Sequence, residues 1–572
     1  MDKEFKLSYI AFFVILLTSY GFFIFRRNPY IRPNSYFFCL CLLICLIVFQ
    51  ILFLKKRDYN KFLLFVEVIF VFFSFTFTQQ SLYQTLLGRD PWHHFIVTEE
   101  IVSHSIIPYF GEFQSPYFKM PIFHLLSANG MLITNFPYKW VQYFLIGLPT
   151  ILLLLFIAWL FSNRLFKNYE IPFLSIIFVV IADNVLDLAG KSIIPNSLGF
   201  AIVFLIIYFI IFFNHNKKIF ALVIFLSIIL VMTHTISFTI LIFQILLLVI
   251  FSRIYKESIQ FNFYFRFLII LIIIGILEWF FYSGLYFDSL LSTFKQLFIY
   301  GVDDVQQYSE KIPLSFSVID VIKARIGMGL LTLIAVGGIL LALKNNIRNF
   351  KVATTGIIAG SIILSYFTFL SPALSGISHR FWCYGEIIGA IFAAFFLYYF
   401  FIHFIQKSTF KPALTVVFFI FIFVLSFLLF SASVANDDNP LVPEYTLRTG
   451  WYDSELSAGY FIIENNPGIP ISSDYDYYGK LNIIQSTHLS PNQQTPLLIA
   501  TPRNFEEVER CNCIFVSRIK IFESRYFILG GVWSQNPQKP IGAKSFKIIS
   551  NLKNNGNLVY SNPTTIITLH GA

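Results

Sequence analysis

Thirteen runs of roughly 20 apolar residues, each long enough to cross the hydrocarbon core of a bilayer, dominate the first 433 residues of the chain. They lie near 7–25, 36–54, 62–80, 138–161, 171–189, 195–213, 218–234, 236–251, 265–286, 319–343, 352–370, 380–404 and 413–433. No water reaches the backbone inside lipid, so a spanning segment must satisfy its N–H and C=O groups as a helix or within a closed barrel. Barrel strands would read as segments of about ten alternating residues. These runs are instead unbroken Phe, Ile and Leu, with 72 Phe in 572 residues. Only 13% of the chain is charged, against about 25% in a soluble globular protein. The fold class expected is therefore a polytopic α-helical membrane protein of about 13 spans, with membrane lipid as its first partner. The first run lacks a small-residue cleavage site and is expected to be retained.

The formal net charge of +10 is explained by the loops, and no nucleic-acid partner is expected. KKRDYNK, SNRLFKNYE, NHNKK, SRIYKES, KNNIRNFK and IQKSTFK alternate with loops that are acidic or nearly neutral. The positive-inside bias makes these six loops and the amino terminus cytoplasmic. The loop from Gly88, Asp187–Pro195, Phe287–Phe316, Ser371–His379 and the carboxy-terminal tail then face outward. One loop disagrees: RRNPYIRP, between the first two runs, is basic and falls outside. The stretch Pro121–Thr134 is too short to span and amphipathic, so it is expected along the surface.

Composition divides the chain into a transmembrane domain, 1–433, with an external loop at 81–137, and a tail, 434–572. The tail holds Asp, Asn, Pro and Gly between short strand-like runs, among them IPISSD, NCIFVSRI and NLVYSNPTTIITL. It reads as a small extracytoplasmic α/β domain. No internal repeat of solenoid length is present. Six cysteines complete no zinc set. Cys511 and Cys513 are too close in sequence to favour bridging, so packing is expected for all six.

The longest polar interruption in the first half is Gly88–His124, opening GRDPWHHFIVTEEIVSH and closing at PIFH. Asp90 follows a span and is a candidate general base or ligand of a hard cation. Trp92 either anchors at the interface or stacks on a sugar. His93 and His94 diverge on a helix, whereas Asp90 and His94 stand at i, i+4 and are the expected pair for a divalent cation, Mg or Mn. The alternative is a solvated juxtamembrane turn. Glu99 and Glu100 read as a solvated helix face. His124 is either a structural histidine or a substrate contact. Lys191 and Arg380 lie at outer ends of spans, where cations suit a lipid-linked phosphate; snorkelling is the competing view, stronger for Lys191. His234, in VMTHTISFT, is either structural or a donor to an anion.

This pattern resembles the GT-C membrane glycosyltransferases. GRDPWHHF is similar to the Asp-Pro-Trp loop of oligosaccharyltransferase catalytic subunits. PIFHLL resembles the juxtamembrane helix shared with enzymes such as protein mannosyltransferases, and SHRFWCY the Arg-bearing span that contacts donor phosphate. The nearest string to the acceptor-reading Trp-Trp-Asp-Tyr-Gly motif is GWYDSEL, and the nearest candidates for a second acidic motif are Asp183 and Asp187. The resemblance implies transfer of a sugar from a polyprenyl-phosphate donor to a protein, lipid or glycan acceptor. Asp90 would be the catalytic carboxylate, with Arg380, Lys191, His234, His124 and Trp92 binding substrate. A transporter or flippase of lipid-linked sugars, which would show interrupted spans with polar residues near the bilayer midplane, and a surface-polysaccharide polymerase are the competing readings.

Overall fold

The computed structural model describes residues 3–54, 58–88, 90–107, 116–213, 216–283, 318–346, 349–366 and 375–441 of the helical part. Beyond these it describes 449–466, 468–473, 477, 480–481, 484–485, 495–499, 513–518, 526–528, 538–540, 557–561, 563 and 565–570. The outer loop expected at Phe287–Phe316 and the first four residues of Ser371–His379 lie outside the described residues.

All thirteen apolar runs are helical. Among the described residues, ten helices are long and apolar enough to cross a membrane. An eleventh candidate is a pair, Glu170–Ile181 and Asp183–Lys191, bent by 61°. The remaining runs form Lys217–Val231 and Phe350–Leu364, of 15 residues each. Such a helix spans only about 22 Å. The chain is an integral membrane protein. Pro121–Thr134 forms the helix Ile122–Thr134, also too short to cross. Hydroxyl side chains within the apolar helices donate back to carbonyls of the preceding turn, as Ser162 does to Ala158, Ser175 to Ile171 and Ser227 to Val223, so their polarity is absorbed locally. Without a hydrophobic force between helices in lipid, close approach at small residues holds them together. At Gly338 a Cβ would overlap the backbone of Phe392, which brings the helix Val318–Asn346 directly onto Ser375–Phe400.

The chain divides into two compact units. The helical unit extends to Leu447, beyond the boundary expected at 433, because the residues after the helix Lys411–Phe430 are tied into it. Arg32 holds Asp438 through both carboxylate oxygens, at 2.9 and 2.7 Å, and Lys191 holds Asp437 at 3.1 Å. Arg32 also bonds Gln79 and the backbone carbonyl of Phe75. These contacts place the first connection, the end of the helix Asp58–Gln80, Lys191 and Ser431–Asn439 on one face of the bundle.

The second unit gathers Tyr83–Thr85 with the chain from Arg448 onward. After the helix Asp453–Asn465 come β1 (Ile471–Ser473), β2 (Leu497–Ile499), β3 (Cys513–Arg518), β4 (Tyr526–Ile528), β5 (Gln538–Pro540), β6 (Asn557–Ser561) and β7 (Thr565–His570). Five strands make a mixed sheet in the order β2-β1-β3-β7-β6, parallel at β2-β1-β3 and antiparallel beyond it. β4 and β5 pair separately. An α/β tail is thus what forms. GWYDSEL serves its interior: Trp451 is buried beneath the Arg518 guanidinium, 4.7 Å from the ring centroid, and beside Tyr477. Arg518 in turn faces Glu455 at 3.6 Å. The expectation of six packing cysteines is corrected. Cys39, Cys41, Cys45 and Cys383 are free, but Cys513 is disulfide-bonded.

Candidate functional site

Gly88 sets the approach to the acidic loop. Its φ of +90° is open to glycine, and a Cβ there would lie 2.7 Å from Ser192 Oγ and 2.9 Å from the Pro91 ring. The turn is thereby pressed against the residue following Lys191. The helix Asp90–His104 begins at once, with Pro91 in its first turn, where a missing N–H costs nothing. Asp90 is exposed at this amino-terminal end, where the helix dipole favours the carboxylate.

One turn on, the chain turns inward. His94 is 2% exposed, and its Nδ1 lies 3.0 Å from Nε2 of the fully buried His124. Tyr117 and Phe123 pack on the His94 ring. Burial is the main cause holding His94 well below the ordinary histidine range, followed by the charges of His124, His93 and His234. Burial, then His93, lowers His124 to about 3. His93 is lowered by burial and partly restored by Asp90. Both rings of the His94–His124 pair are therefore neutral, one giving an N–H and the other a lone pair.

The end of the loop docks on the turn before the helix Thr235–Ile254. Thr235 Oγ1 meets Met120 Sδ at 3.2 Å, and Ile122 N–H donates to Met232 O. His234 caps that helix, accepting Ser237 N–H at Nδ1. The Ser237 hydroxyl lies 2.7 Å from the same nitrogen and receives the Tyr384 hydroxyl at 2.8 Å, with Asn196 beside both. Tyr384 stands one helical turn after Arg380 in Ser375–Phe400.

A second polar centre lies at the bend of the broken helix. Asn184 donates its backbone N–H to Glu386 Oε2 at 3.1 Å and its side-chain amide to Glu386 Oε1 and, at 3.3 Å, to Asp183. The Asp183 and Glu386 carboxyls thus meet on one amide, that of Asn184.

The expected site residues thus separate. His94, His124 and His234 come together with His93. His124 is the partner of a buried imidazole. Trp92 is half-buried, edge-on to Phe95. Lys191, expected to meet phosphate or to snorkel, is 6% exposed, paired with Asp437 and bonded to the Val434 carbonyl at 3.0 Å. Arg380 lies in its helix, and its side chain is outside the described residues. Asp90 and His94 do not make a cation site, because one is exposed and the other is buried against His124. Among the described residues no three of His, Cys, Asp and Glu are grouped as a metal would require. Glu386 was legible within SHRFWCYGE as an acid inside an apolar run, which is costly enough to mark a function or a partner. Asp437 carried no such signal, since its partner is 246 residues away.

No family model matches the sequence, and no curated protein matches it. Among solved structures, the chain is similar to the apo oligosaccharyltransferase of Archaeoglobus fulgidus. The TM-score is 0.52 at 12% identity, over 92% of this chain and 80% of that one. ArnT from Cupriavidus metallidurans bound to undecaprenyl phosphate aligns over 90% of this chain and 100% of its own, at 11% identity and a TM-score of 0.44. Its apo form gives 10% and 0.46 over the same shares; both are too distant to add to the argument. The likeness to the archaeal enzyme extends over nearly the whole of this chain, and the two share a fold.

Proposed function

We propose that the protein is a membrane glycosyltransferase that moves a sugar from a polyprenyl-phosphate-linked donor to an acceptor on the extracytoplasmic face. The observation that carries this reading is Asp90, an exposed carboxylate at a helix amino terminus, on a loop anchored by buried histidines, in a chain with an oligosaccharyltransferase fold. The acceptor hydroxyl gives its proton to Asp90 as its oxygen bonds to the anomeric carbon. The bond from that carbon to the phosphate oxygen breaks, and its electron pair leaves with the lipid phosphate. Arg380, a guanidinium suited to bidentate phosphate contact, offsets the charge that develops there. The donor set described does not fit a divalent cation, and no step needs one.

Two features support an outward-facing site. The six basic loops favour the cytoplasmic side. Cys513 is disulfide-bonded, and disulfides persist mainly outside the reducing cytosol.

The carrier reading is favoured by one observation, the interrupted helix with Asp183 and Asn184 at its bend. Helix Glu170–Ile181 rises about 18 Å before it breaks, past the middle of a core about 30 Å thick. The freed backbone N–H, however, is already taken by Glu386, so the bend is closed by the protein's own side chains.

The test is transfer by membranes carrying the wild type or Asp90→Asn, supplied with radiolabelled polyprenyl-phosphate hexoses, with and without chelator. We expect loss of about 100-fold or more in the variant at equal expression, and no effect of the chelator. Equal transfer by both proteins removes Asp90 from the chemistry. Translocation of the labelled lipid without transfer favours the carrier.

A further inference from the structure

The outer end of the helix Ser258–Ser283 is wound as a π-turn, Leu277–Ser283, a geometry that recurs at functional sites. Within it, three side chains bury polar atoms that meet no hydrogen-bond partner of ordinary geometry: both carboxylate oxygens of Glu278, Nε1 of Trp279 and Oγ of Ser283. Glu278 is 6% exposed and Ser283 1%. The Ser283 hydroxyl and the Lys119 charge are the only groups acting on this carboxylate among the described residues, and neither meets it in ordinary hydrogen-bond geometry, so a group withdrawn from water this far has room for a further partner.

The surroundings narrow what that partner is. The Lys119 ammonium donates to the Ser283 carbonyl at 2.7 Å, and Lys119 belongs to the loop that carries Asp90. Trp279 packs edge-on against Phe238, one turn into the helix capped by His234, with ring centroids 6.0 Å apart. The turn therefore rests on the same two elements that close around His94. An ionised Glu278 accepts hydrogen bonds, whereas the indole N–H and the serine hydroxyl give them. A hexose matches this set: adjacent hydroxyls donate to the carboxylate, and hydroxyl or ring oxygens accept from Trp279 and Ser283. A phosphate does not, because Glu278 would repel it.

We infer that the turn Leu277–Ser283 is the subsite that reads the hydroxyls of the transferred sugar, through Glu278, Trp279 and Ser283. This rests on the transferase reading above and can fail separately from it.

The experiment uses the full chain in lipid nanodiscs, with thermal unfolding followed against polyprenyl phosphate and against polyprenyl-phosphate glucose, mannose and galactose. A ligand that binds the folded state raises Tm in proportion to its affinity. At least one sugar-bearing lipid should stabilise the wild type beyond polyprenyl phosphate alone. Glu278→Gln and Trp279→Phe, which keep shape and lose charge or donor, should each weaken that lipid by about tenfold, the size of one lost hydrogen bond to a charged or buried group. Affinity for polyprenyl phosphate should change by less than about twofold. No sugar increment in the wild type, an increment unchanged in both variants, or an equal loss for the bare lipid phosphate each overturns the inference. Sugar-dependent stabilisation without transfer overturns the transferase reading and keeps the subsite. Transfer with unaltered kcat and KM in Glu278→Gln does the reverse.

Discussion

His94 and His124 show how one contact decides the state of a loop. Protonating the accepting nitrogen breaks the bond that joins them, and burial holds both rings below the ordinary value near 6.5. The unfolded chain takes up protons at each site below pH 6.5, while the folded pair does not, so stability is full above 6.5 and falls as the pH drops toward about 3. The loss is about 1.4 kcal/mol per imidazole per pH unit. We expect hydrogen-exchange protection of residues 90–104 and 122–134 to decline over that window. In the double variant His94→Phe/His124→Phe the decline should flatten. Protection independent of pH in the wild type would mean that the pair is not buried and neutral.

Among the elements, the broken helix is the informative one. The apolar runs were readable because lipid admits little else than a helix, and all thirteen formed one. The bend at Ala182 was not readable. It holds no Pro or Gly, and Asp183 and Asn184 alone do not say whether a run from 171 to 189 bends or crosses straight. Its cause is tertiary, since Glu386, 202 residues further on, takes the N–H that the break releases. The same holds for the π-turns, which follow from packing and leave no period in the residues. At the site, Asp90 and the histidines announced themselves as polar residues at a span end. That Lys191 was already neutralised could not be seen, because a side chain's partner is not written beside it. At the bend we expect Glu386→Ala to destabilise the protein by about 3 kcal/mol or more, as buried polar groups lose their partners. Glu386→Gln, which keeps the acceptor for the Asn184 N–H, should cost about 1 kcal/mol. Thermal inactivation in detergent separates the two. Equal small effects would place the origin of the bend elsewhere.

For the molecule as a whole, the loop that contradicted the charge rule explains itself. In RRNPYIRP, Arg32 is not a topology signal: it is fully buried and bound by Asp438, Asn436 and Gln79. A buried pair contributes little beyond an apolar replacement, yet breaking it from one side leaves a charge stranded. Arg32→Met should therefore destabilise the helical unit by about 3–5 kcal/mol, with Arg32→Met/Asp438→Leu recovering most of the loss. If the double variant is no better than the single, the arginine acts through Gln79 and Asn436.

The same pair has a consequence in time. Its partners are 406 residues apart, so Arg32 reaches the membrane surface while nearly the whole of the bundle is still to be synthesised. Until the ribosome has delivered Asp438, the first turn between helices carries a cation with no counter-ion and stays open to water. The first connection of the chain is thus among the last to close, and a nascent chain halted before residue 438 ends with its helices inserted but unlatched.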